Sequence, residues 1–426
     1  MTWQVINGNS AEILKTYPDN SFDCVVTDPP YGINFLGKSW DSNTGDREVY
    51  EQCLRVLKPG GHLLAFSAAR TYHHLAMTVE TVGFEIRDQI MWIYGSGFPK
   101  SQDIGRQIQK SLGIKEKKTI QGGARPSDKM NTPYADENEY ETTVCTDPLA
   151  QQWSGWGTQL KPAHEPIVMA RKPVIGSIRL NVLEHGTGAI NIDATRVAGL
   201  TEKELNWTPQ RQQAGDTTEI GTFGASGLVG KEISMFNDKG RFPANVIHDG
   251  SDEVVSLFPN SKDGVAGKRN KNGAMFDFGA HDNWGGYGGE GSAARFFYCP
   301  KVSGKERHIG HDKPPAMFGN VQGCYGPDGK RMAEGLDNRG GGNNHPTVKP
   351  IELMKYLIKL VTPMNGHILD PFNGSGSTGC AAVELGFDYT GIELDPNYVE
   401  IATKRISHWE SECKPKTTYN NLFEEK

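Results

Sequence analysis

Phe22-Asp23-Cys24-Val25-Val26-Thr27-Asp28-Pro29-Pro30-Tyr31 is the stretch on which the reading of this 426-residue chain turns. Its first six residues form a mostly apolar run that reads as a fully buried parallel strand. Asp28-Pro29-Pro30-Tyr31 then falls where such a strand ends and its loop begins, the side of an open α/β sheet on which ligands bind. Proline has no N–H, fixes its own φ and pushes the residue before it out of the helical region, so two in succession make a stiff loop. Such a loop holds the Asp28 carboxylate and the Pro29 carbonyl as two hydrogen-bond acceptors at a fixed separation, with the Tyr31 ring beside them. That arrangement suits a planar group bearing an NH2.

Working outward, Trp3 to Asn7 reads as a short strand, and Ala11 to Tyr17 after it has a helical look. Beyond the Asp28 box, Gly32 to Asp46 is polar, rich in Gly, Ser and Asn and without periodicity, a long loop at the mouth of the presumed site. Tyr50, Leu54 and Leu57 share a helical face, and Lys58-Pro59-Gly60-Gly61 reads as the turn that stops that helix. His62 to Ser67 is a buried strand, Tyr72, Leu75, Val79 and Val82 make another helical stripe, and Glu85 to Tyr94 is a further strand. Alternation of this kind predicts right-handed βαβ units.

A second anchor stands near the other end. Pro350 opens a helix over Ile351 to Thr362, the strand His367 to Asp370 follows, and Pro371-Phe372-Asn373-Gly374-Ser375-Gly376-Ser377-Thr378 leads into a helix that runs to Leu385. A strand, a tight glycine loop and a helix N-terminus form an anion cradle, because unpaired N–H groups and the helix dipole converge there. Tyr389 to Glu393 is then a strand ending in an acid about twenty residues past the glycines, as binding of ribose hydroxyls requires. A last helix presents Val399, Ala402, Ile406 and Trp409 on one face.

Between the anchors the character changes. Ser96 to Pro162 has little periodicity; its Trp153 and Trp156 read as loop anchors, with base stacking as the other reading. Glu165 to Arg171 reads as one strand, antiparallel beside Glu85 to Tyr94, so the segment before it is a hairpin connection enlarged into an insertion. From Val174 to about Gly342 turn signals dominate and many of the chain's 51 glycines fall here, well above the usual ~7%. Ala189 to Asp193, Ala244 to His248 and Arg295 to Cys299 are strand-like, and Lys268 to Asn272 is a basic segment able to follow a phosphate backbone or simply to be solvated.

Composition narrows the classes. Mean hydropathy is -0.53 and no apolar run is long enough to span a bilayer. With no signal peptide read before the first strand, the expectation is a cytoplasmic protein. The seven cysteines include no C-x-x-C pair, so neither a disulfide framework nor a zinc ribbon is indicated, and Cys299, His308, His311 and Cys324 are not read as a metal site. A net charge of -6 lends no support to nucleic-acid binding, which must rest on the motifs.

Those motifs, in this order and spacing, resemble the beta group of amino DNA methyltransferases. The early Asp28 box and the late Asp370 loop match that group's permuted arrangement, and the resemblance covers about residues 1–100 and 341–426, plus the strand near Ile167. It implies an α/β fold, a Rossmann-like, mostly parallel sheet flanked by helices, with a large, irregular inserted target-recognition region. The parts would be 1–100, catalytic half; 101–162, insertion; 163–173, returning strand; 174–340, target recognition; and 341–426, cofactor half. It implies that Asp28, Pro29, Pro30 and Tyr31 hold the target amino nitrogen. S-adenosylmethionine would be bound by His345, Thr347, Lys349 and Pro350, by Asp370, Pro371, Phe372, Gly374, Gly376, Ser377 and Thr378, and by Glu393. Asn9 stands where the family usually carries an Asp that meets the cofactor's adenine; a helix N-cap is its other reading. The activity implied is methylation of adenine N6 in double-stranded DNA, free-standing or as the modification half paired with a restriction endonuclease, without a metal. Cytosine N4, RNA and protein amides are the alternatives.

Overall fold

The computed structural model describes residues 1–33, 41, 43–95, 97, 101–114, 117–120, 140–198, 236–237, 240–262, 290–298 and 348–412. Contacts divide them into two units, Met1–Gly95 with His164–Lys426, and Ser96–Ala163.

The larger unit is built on a sheet whose strands, in chain order, are β1 (Trp3–Asn7), β2 (Phe22–Thr27), β3 (Leu57–Phe66), β4 (Glu85–Ile93), β5 (His164–Arg171), β6 (Val246–His248), β7 (His367–Asp370) and β8 (Asp388–Glu393). In space the order is β1-β8-β7-β2-β3-β5-β4-β6. All neighbours pair parallel except where β5 lies antiparallel between β3 and β4. The larger unit's described helices are α1 (Ser10–Leu14), α2 (Arg47–Val56), α3 (Tyr72–Val82), α4 (Ile351–Val361), α5 (Ser377–Leu385) and α6 (Pro396–Glu412), besides Ile178–His185 and Asp252–Val255.

Period-two alternation divides the central strands between two cores. Cys24, Val26, Leu64, Phe66, Ile167 and Met169 face one side, packed with Leu353, Leu357, Ala381 and Ile406 from α4, α5 and α6. Val25, Leu63, Ala65, Val168, Ala170 and Leu369 face the other, with Tyr50, Cys53, Leu75 and Val79 from α2 and α3. Each fully buried large apolar side chain contributes roughly 1.5–3 kcal/mol. Coverage on both faces explains why β2 carries no exposed residue from Phe22 to Thr27.

The order of strands reverses between β7 and β2. From β7 the chain proceeds through α5 to β8 on one side, and from β2 through α2 to β3 on the other. A crevice opens outside the carboxyl ends of two strands at such a point. The Asp28 box leaves the end of β2, and the Asp370 loop leaves the end of β7.

Four local readings change. Lys58-Pro59-Gly60-Gly61 belongs to β3 and does not form a turn. A Cβ on Gly60, at φ +81°, would lie 2.9 Å from the Gly188 Cα; the glycines let a second backbone pass close to the strand. Residues 189–193 make no strand, and Asp193–Thr195 is a 3-10 turn. Ala293–Phe296 is also a 3-10 turn, leaving Tyr298 as a single bridge to Ile247. Pro350 is the N-cap of α4 rather than its first helical residue. Cys299, His308, His311, Cys324 and Lys268 to Asn272 lie outside the described residues.

The smaller unit contains helices Ile104–Ser111 and Pro148–Gln152. Trp153 and Trp156 meet edge to face at 5.2 Å and are exposed, 38% and 61%, so neither ring is a buried anchor there. No described helix is long and apolar enough to cross a membrane.

Candidate active site

Asp28 directly follows the end of buried β2, and the backbone after it is fixed by a residue that no local pattern singles out. Asp41, 1% exposed, accepts from the amides of Tyr31 (2.6 Å), Gly32 (2.9 Å) and Ile33 (3.2 Å). Three N–H groups of one turn thus converge on one carboxylate, which fixes the box from the far end of its loop.

Both oxygens of Asp28 are engaged. The Tyr31 hydroxyl lies 2.8 Å from Oδ1, and the Lys349 ammonium lies 2.7 Å from Oδ2. Glu165, on β5, faces the same two groups, its Oε2 being 2.8 Å from the Tyr31 hydroxyl and 3.3 Å from Lys349 Nζ. Lys349 donates to the Tyr31 oxygen at 3.0 Å and sits over the rings of Tyr31 and Phe66 at 5.3 and 5.0 Å. Its side chain is 6% exposed, those of Asp28 and Glu165 18% and 19%. Burial alone would lower the Lys349 pKa; the negative charges of Asp28 and Glu165 outweigh it and raise it. Burial, then the same two carboxylates, hold the Tyr31 phenol well above its ordinary value.

Lys349, expected in the cofactor set, thus stands beside the Asp28 box. It precedes α4, whose apolar face seats it against β2 and β3. Glu165 was missed. Its signal was a carboxylate opening an otherwise apolar strand, in a position that becomes meaningful only once β5 is known to lie beside β3.

The Asp370 carboxylate is also turned inward. It accepts from Thr27 Oγ1 (2.7 Å), Thr378 Oγ1 (2.6 Å) and the Phe372 amide (3.1 Å), and is 2% exposed. Burial pushes its pKa up to about 6, against the lowering effect of those donors. Asp370 ties β2, β7 and α5 into one unit and does not present its oxygens to a ligand. Asn9 accepts from the Ala11 and Glu12 amides, so it takes its other reading, the N-cap of α1. Ser10 beside it donates to the Pro371 carbonyl at 2.5 Å, and Phe372 packs on Tyr50 at 6.2 Å.

The remainder of the loop forms the cradle. Gly374 and Gly376 have φ of 50° and 79°, and Gly376 caps α5 without any side chain turned onto the helix start. The Gly374 amide donates to Glu393 at 2.8 Å, and the Asp395 amide to the other oxygen at 2.9 Å. Burial raises the Glu393 pKa to about 7, the two amides opposing it. Beneath the loop lies Arg405 of α6, 0% exposed, donating through Nη1 to the Ser375 carbonyl (2.6 Å) and hydroxyl (2.9 Å). Arg405 lies within the apolar stripe from Ala402 to Trp409, and a charge on such a stripe was the signal available for it. Uncapped helix amides with a buried guanidinium below suit a carboxylate, and Glu393 suits hydroxyl donors, so the donor set fits an amino-acid-bearing nucleoside. His345 and Thr347 lie outside the described residues.

Residues 22–404 match the DNA methylase family (N6_N4_Mtase), and the chain belongs to that family. Among curated proteins it is similar to the type II methyltransferase M2.LlaDCHI of Lactococcus lactis subsp. cremoris. Identity is 44% over 63 residues, 15% of this chain and 23% of that protein. It is also similar to the type II methyltransferase M.HinfI of Haemophilus influenzae, 32% identical over 100 residues, 24% of this chain and 26% of that protein. The matches thus span about a quarter of those relatives' length. The structure of an M1.HpyAVI–SAM complex aligns with a TM-score of 0.40 and 15% identity over 95% of this chain and 99% of that one.

Proposed function

We propose that this chain transfers a methyl group from S-adenosylmethionine to the exocyclic N6 of adenine in duplex DNA. The observation that carries the reading is the joining of two loops remote in sequence. The Asp28 box and the glycine loop leave neighbouring strands at the switch point, tied through Thr27, Asp370 and Thr378.

When bound, S-adenosylmethionine supplies a methyl group on a positively charged sulfur. The start of α5 at Ser377 and Thr378, with Pro371, Phe372, Gly374 and Gly376, would hold its carboxylate, and Glu393 its ribose hydroxyls. His345, Thr347 and Pro350 would flank it.

An exocyclic amino nitrogen is a poor nucleophile because its lone pair is delocalised into the ring. Asp28 and the Pro29 carbonyl accept its two hydrogens and let it pyramidalise, fixing the direction of its lone pair. Asp28 also takes up the proton that the nitrogen must release once it carries the methyl. A base within a duplex cannot reach Asp28, so it is flipped out beside Pro30 and the Tyr31 ring. We assign target recognition to residues 174–340, acting alone or alongside a cognate endonuclease. Mass spectrometry of nucleosides from DNA incubated with the protein and S-adenosylmethionine tests this. N6-methyladenine is expected; N4-methylcytosine alone, or no modified base, contradicts it.

A further inference from the structure

Asp28 has two oxygens, and in this structure neither is simply waiting for a ligand. Tyr31 holds Oδ1 and Lys349 holds Oδ2. An amino group that is to donate to Asp28 must take the place of one of them. The ammonium is the one that obstructs: it is the charged partner, and while it neutralises Asp28 it weakens that carboxylate as an acceptor. A buried ammonium cannot be released to no partner, because an unpaired buried charge costs several kcal/mol. Its environment provides another one. Glu165 Oε2 lies 3.3 Å from Lys349 Nζ, against 2.7 Å for Asp28 Oδ2, close enough that a shift of well under the length of a bond exchanges the two contacts. The Tyr31 hydroxyl has one proton and touches both carboxylates. When it gives that proton to Asp28 Oδ1, Glu165 Oε2 is left to the ammonium. Tyr94 also bonds to Glu165; burial, then the charge of Glu165 and that bond, raise its phenol pKa.

We propose that Glu165 is a positioning residue: it receives Lys349 when the target amino group enters and so frees Asp28 Oδ2 for that group. This rests on the amino-methylation reading and deepens it. Asp28 is the acceptor, Lys349 its resting counter-ion, and Glu165 the counter-ion's second seat. The free enzyme keeps its catalytic carboxylate paired, and substrate displaces an ammonium that already has somewhere to go.

Three variants and one background test this with unmethylated DNA and methyl-labelled S-adenosylmethionine. Glu165→Gln keeps the shape but removes the charge that would receive Lys349. It is expected to lower kcat at least tenfold, with KM for DNA and Kd for S-adenosylmethionine changed less than threefold. Glu165→Asp, which restores the charge on a shorter arm, should recover a substantial part of kcat. In a Lys349→Met background there is no ammonium to receive, and Glu165→Gln should then cost no more than about twofold. Three results would each overturn the proposal: Glu165→Gln turning over at the wild-type rate, its cost persisting undiminished in the Lys349→Met background, or kcat falling only in step with cofactor and DNA affinity. The wild-type chain and Asp28→Ala separate the two layers. A wild-type chain that methylates no DNA removes the underlying reading and this proposal together. Normal transfer that depends on Asp28 and is indifferent to Glu165 removes the proposal alone.

Discussion

Asp370 and Glu393 show how burial assigns different work to two acids of one half-site. Asp370 receives three donors and holds the strands together, while Glu393 receives two backbone amides at the mouth of the cradle. Asp370's folded pKa of about 6 lies above its ordinary 3.8, so its ionised form is the costly one. Its contribution to stability is fully present below pH 3.8 and lost as pH rises through about 6, on the order of 2–3 kcal/mol. Asp370→Asn should flatten stability against pH across that window, as urea unfolding at a series of pH values would register. His62 opposes this trend: burial, then Arg171 and Arg87, lower its pKa to about 4, so its contribution is present above pH 6.5 and lost as pH falls through about 4. Glu393 ionises near pH 7, and its carboxylate is the better acceptor for ribose hydroxyls. S-adenosylmethionine should therefore bind more tightly as pH rises through 7. Glu393→Gln should weaken binding roughly tenfold and abolish that dependence, measured by calorimetry.

At the scale of elements, the cradle depends on how α6 packs beneath the loop. A Cβ on Gly376 would sit 3.0 Å from the Ala402 Cβ, at a φ of +79° that favours glycine. Gly376→Ala should cost about 1–2 kcal/mol in stability and weaken cofactor binding with it. Arg405→Met removes the buried anchor of Ser375 and should loosen the same loop. Calorimetric Kd values for S-adenosylmethionine should rise severalfold in both variants. This is also where the sequence was most and least informative. β2, β7, α5 and β8 were legible because an apolar run ending in Asp-Pro-Pro-Tyr, or in a glycine loop, carries its own punctuation. Residues 58–61 misled because Lys-Pro-Gly-Gly is turn chemistry by composition, whereas here it is an irregular stretch of β3 between Leu57 and His62, held by backbone hydrogen bonds of Gly60 and Gly61 to Lys172. Glu165, Asp41 and Arg405 act on partners 134, 10 and 30 residues away, respectively; the apolar strand and stripe that mark Glu165 and Arg405 do not name those partners, and Asp41 carries no such mark.

On the scale of the whole molecule, Ile93 and His164 pair at the stem of one hairpin, with residues 94–163 as the connection between them. Such neighbours lie about 5 Å apart, a gap that hairpin loops of two to five residues close, and Tyr94-Gly95-Asn-Gly-Ala163 would be one of five. Replacing residues 96–162 by Asn-Gly should therefore leave a folded protein that still binds S-adenosylmethionine. Its thermal midpoint should fall within a few degrees of the parent's, as circular dichroism would show.

Residues near the start and in the last hundred of the chain would share one reaction site, with Asp28 as the acceptor of the target amino group. Single-turnover transfer of labelled methyl to DNA, run on the wild-type chain and on Asp28→Ala at saturating S-adenosylmethionine, tests it most directly. At least a hundredfold slower transfer by the variant is expected, with its S-adenosylmethionine affinity retained. Transfer by Asp28→Ala at the wild-type rate would contradict it.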